Sequence, residues 1–95
     1  MNLELEILTP KEILAKEPSV TEITIPASWG QMEILPQHTD YMTTLTQGEL
    51  SYTAGSHHRT HNITGGLIVV KNGKATVLVD NVYATVTPID AARAH

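Results

Sequence analysis

Ninety-five residues with a formal charge of −4 and no cysteine leave room for one domain and one modest core, without disulfides or thiolate chemistry. The acidic balance, with no basic run, opposes nucleic acid and anionic lipid. The longest apolar run, Leu67–Val70, falls far short of the roughly 20 residues that a membrane span needs, so the chain is expected to be soluble and to meet a membrane only through a partner. Phenylalanine is absent and the aromatics are Trp29, Tyr41, Tyr52 and Tyr83, so the core must be built from Leu, Ile and Val. Together with many threonines, that mixture favours β-structure, because β-branched side chains fit a pleated sheet and lose rotamer freedom in a helix. Met1–Ile7 alternates acidic and apolar residues, which fits neither a signal peptide nor a basic transit peptide.

Leu3, Leu5 and Ile7 alternate with Asn2, Glu4 and Glu6, predicting a half-buried strand that ends at Thr9-Pro10. Lys11–Glu17 carries no decisive pattern. Pro18 separates it from a predicted strand over Val20–Ile25, with Thr21, Ile23 and Ile25 on one face. "IPASWGQMEILPQH", Ile25 to His38, reads as a loop bracketed by Pro26 and Pro36. Strands are predicted over Tyr41–Leu45 and Glu49–Ala54, with a turn at Gln47-Gly48 between them. A second turn at Gly55-Ser56 leads into a strand over His58–Ile63, and Gly65-Gly66 reads as a bulge or sharp bend where other residues resist the backbone conformation.

The best local signal follows. Asn72-Gly73 stands between Leu67–Lys71 and Lys74–Asp80, and Asn-Gly supplies the positive φ angles of a type I′ turn, so a tight hairpin is expected. Val82–Val86 makes a last strand. Many short strands with turn signals every 8–12 residues or so point to an antiparallel sandwich or barrel. Thr87-Pro88-Ile89-Asp90 then changes the pattern: an N-cap, a proline at the first helical position and an acid near the helix's positive end. Ala91–Ala94 are good helix formers, yet the chain stops at His95. The expected organisation is a β-sandwich over residues 1–86 and, over 87–95, the start of a C-terminal helix cut short.

The candidate sites are few. His57, His58 and His61 could chelate a metal on a helix, but the turn before them and the residues around them read as a strand. There His57 and His61 stand about 13 Å apart, so solvated histidines near a hairpin tip are expected and no metal site. No serine sits in a strand–turn–helix nucleophile elbow and no glycine loop cradles phosphate. Glu4 and Glu6 are the polar half of an alternating strand. Trp29, the sole tryptophan, reads either as a cap on the core or as an anchor for a partner, since tryptophan is enriched at binding hot spots. His38 reads either as a polar contact or as an ordinary loop residue.

Several segments in order carry a resemblance. "LEILTP" opens the chain as an alternating strand; "GQMEILPQHTDYMTTL", Gly30 to Leu45, follows the pattern G-x-x-G-I-L-P-G-H-x-P-L-L-T. "QGELSY", "TGGLIVV", "ATVLVD" and, at Ile89 to Ala94, "IDAARA" follow collinearly. In this the chain resembles the epsilon subunit of the rotary F-type ATP synthase, called delta in mitochondria. Glu33 and Gln37 stand where the family has glycines, Asp40 where it has proline and Thr64 where it has serine, and the family's C-terminal helical hairpin is missing.

The resemblance implies an all-β fold: a flattened antiparallel β-sandwich or barrel of about ten short strands. It implies a non-catalytic central-stalk (rotor) subunit, without cofactor or metal, that links the gamma subunit to the polar loops of the c-ring in a proton-translocating synthase. Such a subunit is peripheral, on the cytoplasmic side of a bacterial plasma membrane or the equivalent organellar face. The c-ring interface is expected at Ser28, Trp29, Gln31, Gln37 and His38, and the gamma interface at Pro10, Tyr41, Met42 and Thr43. The alternative is a free-standing β-sandwich that binds glycans or peptides on Trp29 and the tyrosines.

Overall fold

The computed structural model describes residues 2–36 and 40–80. In chain order the strands are β1 (Leu3–Leu8), β2 (Ile13–Val20), β3 (Glu22–Ala27), β4 (Gly30–Ile34), β5 (Tyr41–Leu45), β6 (Gly48–Ala54), β7 (His57–Ile63), β8 (Gly66–Lys71) and β9 (Lys74–Val79). They form a five-stranded sheet in the order β2-β1-β9-β8-β5 and a four-stranded sheet in the order β4-β3-β6-β7. The described residues are therefore an all-β sandwich. Every ladder is antiparallel except β1 with β9, which is parallel and brings the first described strand beside the last. The strand expected over Val82–Val86 and the helix start at 87–95 lie outside the described residues.

Alternation decides which side chains meet between the sheets. Leu3, Leu5 and Ile7 of β1, Ile68 and Val70 of β8, and Ala75, Val77 and Val79 of β9 point inward and are buried. They face Ile23, Ile25, Ile34, Leu50, Tyr52 and Ile63 from the second sheet. The core is aliphatic, as the composition required, with Tyr52 its single fully enclosed aromatic. No charged residue is buried among the described residues, so nothing there incurs the desolvation cost of an enclosed charge.

Three segments differ from the expectations. The undecided stretch 11–17 is mostly strand: β2 runs through Pro18 to Val20. Proline is tolerated because β2 is the sheet's edge and because the register shifts between Leu3↔Val20 and Leu5↔Glu17, so Pro18 sits in a bulge. Thr21 is exposed at the break between β2 and β3, while Val20 faces the core. The stretch Ile25–Ile34, expected as loop, is largely a hairpin of β3 and β4 paired from Ile23↔Ile34 to Ala27↔Gly30. Pro26 concealed this strand, but it lies past Thr24, the last β3 residue that pairs with β6, and so interrupts no ladder on that side.

Candidate docking surfaces

The β3–β4 hairpin reverses at Ser28-Trp29, and the positive φ of the reversal falls on Gly30 (φ 122), where a glycine meets no steric cost. Trp29 stands at the tip, 65% exposed. It does not cap the core, because Ala27 and Gly30 pair directly beneath it and turn the indole outward. Ser28 and Gln31 are exposed beside it. Thr46 secures this hairpin just below its tip: its N–H donates to the Pro26 carbonyl at 2.9 Å. Its hydroxyl also donates to that carbonyl, at 3.3 Å.

Pro36 and Asp40 flank the remaining expected c-ring residues, Gln37 and His38, which lie outside the described residues. Asp40 accepts the Asn72 backbone N–H on Oδ1 at 3.1 Å, which ties it to the β8–β9 turn. Asp40 and Thr46, the residue bonded to the Pro26 carbonyl, flank β5 (Tyr41–Leu45) at its two ends, so about 20 Å of extended chain separates them. The described flanks of Gln37 and His38 therefore do not join Ser28, Trp29 and Gln31 in one patch.

Pro10 is exposed in the turn between β1 and β2. Thr9 shapes that turn: its hydroxyl oxygen accepts from the Lys11 N–H at 3.2 Å and the Glu12 N–H at 3.0 Å, and its own N–H donates to the Glu12 carbonyl at 2.9 Å. On β5, Met42 faces solvent at 66% exposure. Tyr41 and Thr43 are half-buried on the opposite face of the strand, and the Tyr41 hydroxyl donates to Met32 Sδ at 3.0 Å, bridging the two sheets at their β4–β5 side. Of the residues expected to face gamma, Pro10 and Met42 are accessible, and Tyr41 is occupied in holding the sheets together.

The histidines lie on β7, as the turn before them indicated. His57 and His58 are exposed, and His58 Nδ1 is 3.1 Å from the Thr53 hydroxyl. His61 is half-buried over Tyr52 with ring centroids 6.2 Å apart. Burial first, and then the Arg59 charge, hold the His61 imidazolium below the usual histidine range. Tyr52 is shifted up by its own burial and by Glu17, whose Oε2 accepts its hydroxyl at 3.4 Å across the gap between the sheets.

The sequence reading passed over the outer face of the five-stranded sheet. Leu8 is opposite both Ile13 and Leu78, and Leu78 is opposite Leu67, so these four side chains form one row across β2, β1, β9 and β8. Ile13 is 57% and Leu78 45% exposed. A hollow of about 310 Å³ lined by Leu8, Thr9, Pro10, Leu78, Val79 and Asp80 opens at this end of the sheet. The available signal was the unbroken apolar run Leu67–Val70, since alternation fails where both faces of a strand are meant to be covered.

Residues 2–85 match the family described as ATP synthase, Delta/Epsilon chain, beta-sandwich domain. The ATP synthase epsilon chain 2 of Syntrophotalea carbinolica is 41% identical over 93 residues, covering 97% of this chain and 65% of its own length. The epsilon chain of Solibacter usitatus is 37% identical over 92 residues, covering 97% of this chain and 67% of its own. The chain thus spans about two thirds of the length of these curated relatives. In fold, it superposes with a TM-score of 0.81 on a chain of the Euglena gracilis mitochondrial ATP synthase, at 23% identity over 98% of this chain and 61% of that one. A chain of the Tetrahymena thermophila mitochondrial ATP synthase central stalk and c-ring gives 0.75 at 18% identity, over 87% of this chain and 66% of that one. On the match over residues 2–85 and the identity to these relatives, the chain belongs to the ATP synthase delta/epsilon family, whose β-sandwich domain it carries.

Proposed function

We propose that the chain is a non-catalytic rotor subunit of an F-type ATP synthase, carried in the central stalk between the gamma subunit and the c-ring of a proton-translocating complex. The observation that carries this reading is the family match across the whole sandwich, residues 2–85. Its attachment is peripheral, on the cytoplasmic face of a bacterial plasma membrane or the equivalent organellar face. A two-sheet sandwich suits the role because its ladders and close-packed core deform little under load.

The c-ring contact is assigned to the Trp29 hairpin, with Ser28 and Gln31 flanking the indole. An exposed aromatic on a rigid two-strand support loses little entropy when it docks. The gamma contact is assigned to the sheet that carries Pro10 and Met42, with Tyr41 and Thr43 supporting β5 from behind. Gln37 and His38 are assigned to the c-ring as well. Affinity purification of the 95-residue chain from solubilised membranes should recover gamma and c-ring proteins, and Trp29→Ala should weaken c-ring recovery while leaving gamma bound. Failure to recover either protein, with retention on a glycan array instead, would overturn the rotor reading in favour of a free-standing binding module.

A further inference from the structure

β5 is an edge strand of the five-stranded sheet and, among the described residues, has β8 as its single ladder partner. A strand paired on one side only opens more readily at its ends than a central strand does. The ladder to β8 closes at Tyr41↔Val70, yet the chain is held one residue further out. Asp40 Oδ1 accepts the Asn72 backbone N–H at 3.1 Å. That donor lies outside the β8–β9 ladder, which ends at Lys71↔Lys74 and leaves Asn72 in the turn at φ 52.

Two features give this bond a positional role. It joins residues 32 apart in sequence, so it fixes the entry of β5 against a turn built by other strands. It is also followed at once by a second anchor, the Tyr41 hydroxyl on Met32 Sδ at 3.0 Å, which reaches the other sheet. Asp40 holds the start of the strand along its own sheet, and Tyr41 holds it across the sandwich. Together they set where the next residue stands. That residue is Met42, the most exposed large apolar side chain among the described residues at 66%. The family pattern has proline where this chain has Asp40. Proline stiffens a chain through its fixed φ, whereas a carboxylate orders it only through what it bonds.

We propose that Asp40 is a positioning residue for the gamma contact: its carboxylate latches the start of β5 to the β8–β9 turn and so presents Met42 in the orientation its partner meets. This rests on the rotor reading and on the assignment of Met42 to gamma. A carboxylate suits the task, because a hydrogen bond to an ionised acceptor is roughly twice as strong as one between neutral groups. An edge strand that is ordered before docking also loses less entropy when it binds. The latch thus supplies through a tertiary bond the stiffness that proline carries locally.

Asp40→Ala, Asp40→Asn and Asp40→Pro, each made in the 95-residue chain, test this with two readouts. One is hydrogen exchange of the Asn72 amide in the ¹⁵N-labelled chain, and the other is the gamma protein recovered from solubilised membranes. Asparagine keeps an acceptor oxygen, so it should preserve both the slow exchange at Asn72 and the recovery. Alanine should speed the exchange and cut the recovery severalfold. Proline should speed the exchange as alanine does and yet keep most of the recovery, because its fixed φ orders the entry without the bond. Undiminished recovery by Asp40→Ala despite faster exchange would overturn the proposal, as would exchange at Asn72 that no substitution changes. Proline and alanine losing recovery alike would overturn it too, since order at the entry would then not be what gamma reads. Failure of the wild-type chain to recover gamma would instead sink the rotor reading, and this assignment with it, whatever Asn72 does.

Discussion

Tyr52 and His61 are diagonal neighbours on adjacent strands, with ring centroids 6.2 Å apart and planes inclined by 20°. His61 is half-buried there, next to Arg59 on its own strand, and both circumstances lower its proton affinity in the fold. An unfolded chain binds that proton near the ordinary histidine value of about 6.5. Below that pH the unfolded state holds a proton that the folded state resists, so folding stability falls as the pH drops through 6.5 toward the lowered value. Above it His61 is neutral in both states and contributes no slope. Urea midpoints measured between pH 7.5 and pH 5 should decline in the wild type, and His61→Gln should flatten the decline. An identical slope in both proteins would remove His61 as the cause.

Glu33 gives the opposite sign. It stands on the edge strand β4, where a hydrogen bond shared with Glu22, and then the charge of Glu22, raise its carboxyl above the usual range. The folded chain therefore holds this proton more tightly than the unfolded chain, and the associated stability is lost as pH rises through the folded value. At neutral pH Glu33→Gln should raise the thermal midpoint slightly. The gain should vanish below the ordinary glutamate value and shrink in high salt, because the site is fully exposed and screening is efficient. A gain that survives high salt would show that like-charge repulsion is not its source.

Trp29 invites a separation of folding from docking. Because its indole projects beyond the Ala27↔Gly30 pair and is 65% exposed, Trp29→Ala should change stability by no more than about 0.5 kcal/mol. Leu50→Ala, at a side chain with no exposure, should cost about 2–5 kcal/mol by comparison. Denaturant midpoints decide this directly. A Trp29→Ala loss comparable with that of Leu50→Ala would mean that the indole folds back onto the core in solution.

Most of the fold was legible because most of it obeys the period-2 rule. β1 alternates cleanly at Leu3, Leu5 and Ile7, and Asn72-Gly73 does what its dipeptide demands, with Asn72 at φ 52 and Gly73 at φ 76. The failures lie where proline contradicts its usual meaning. Pro18 sits in an edge-strand bulge and Pro26 beyond the end of a ladder. Both are exceptions set by which strand lies alongside, a long-range fact that no local window contains. The candidate docking surfaces were half visible. Trp29 and Pro10 stood out as residue types, whereas the row from Ile13 to Leu67 comes from four separate strands and exists only through their register. Nothing local marks Leu8 and Leu78 as neighbours.

Gly66 is where the sheet geometry is least forgiving. It pairs with Leu45 on one side and Val79 on the other, at φ 154, and a Cβ there would lie 2.1 Å from the Leu78 carbonyl oxygen. That atom belongs to the backbone of a central strand, so it cannot swing aside as a side chain would. Gly66→Ala combines a disfavoured backbone conformation with overpacking, each worth roughly 1–3 kcal/mol. The expected loss is about 3 kcal/mol or more. Gly30 provides the control: its φ of 122 is also positive, yet a Cβ there meets nothing within 4 Å, so Gly30→Ala carries the conformational cost alone. Urea denaturation of the two variants should therefore place Gly66→Ala well below Gly30→Ala. Equal losses would mean that the β8–β9 backbone yields to the added methyl group, and that the close approach at Leu78 does not hold the strand ends in register.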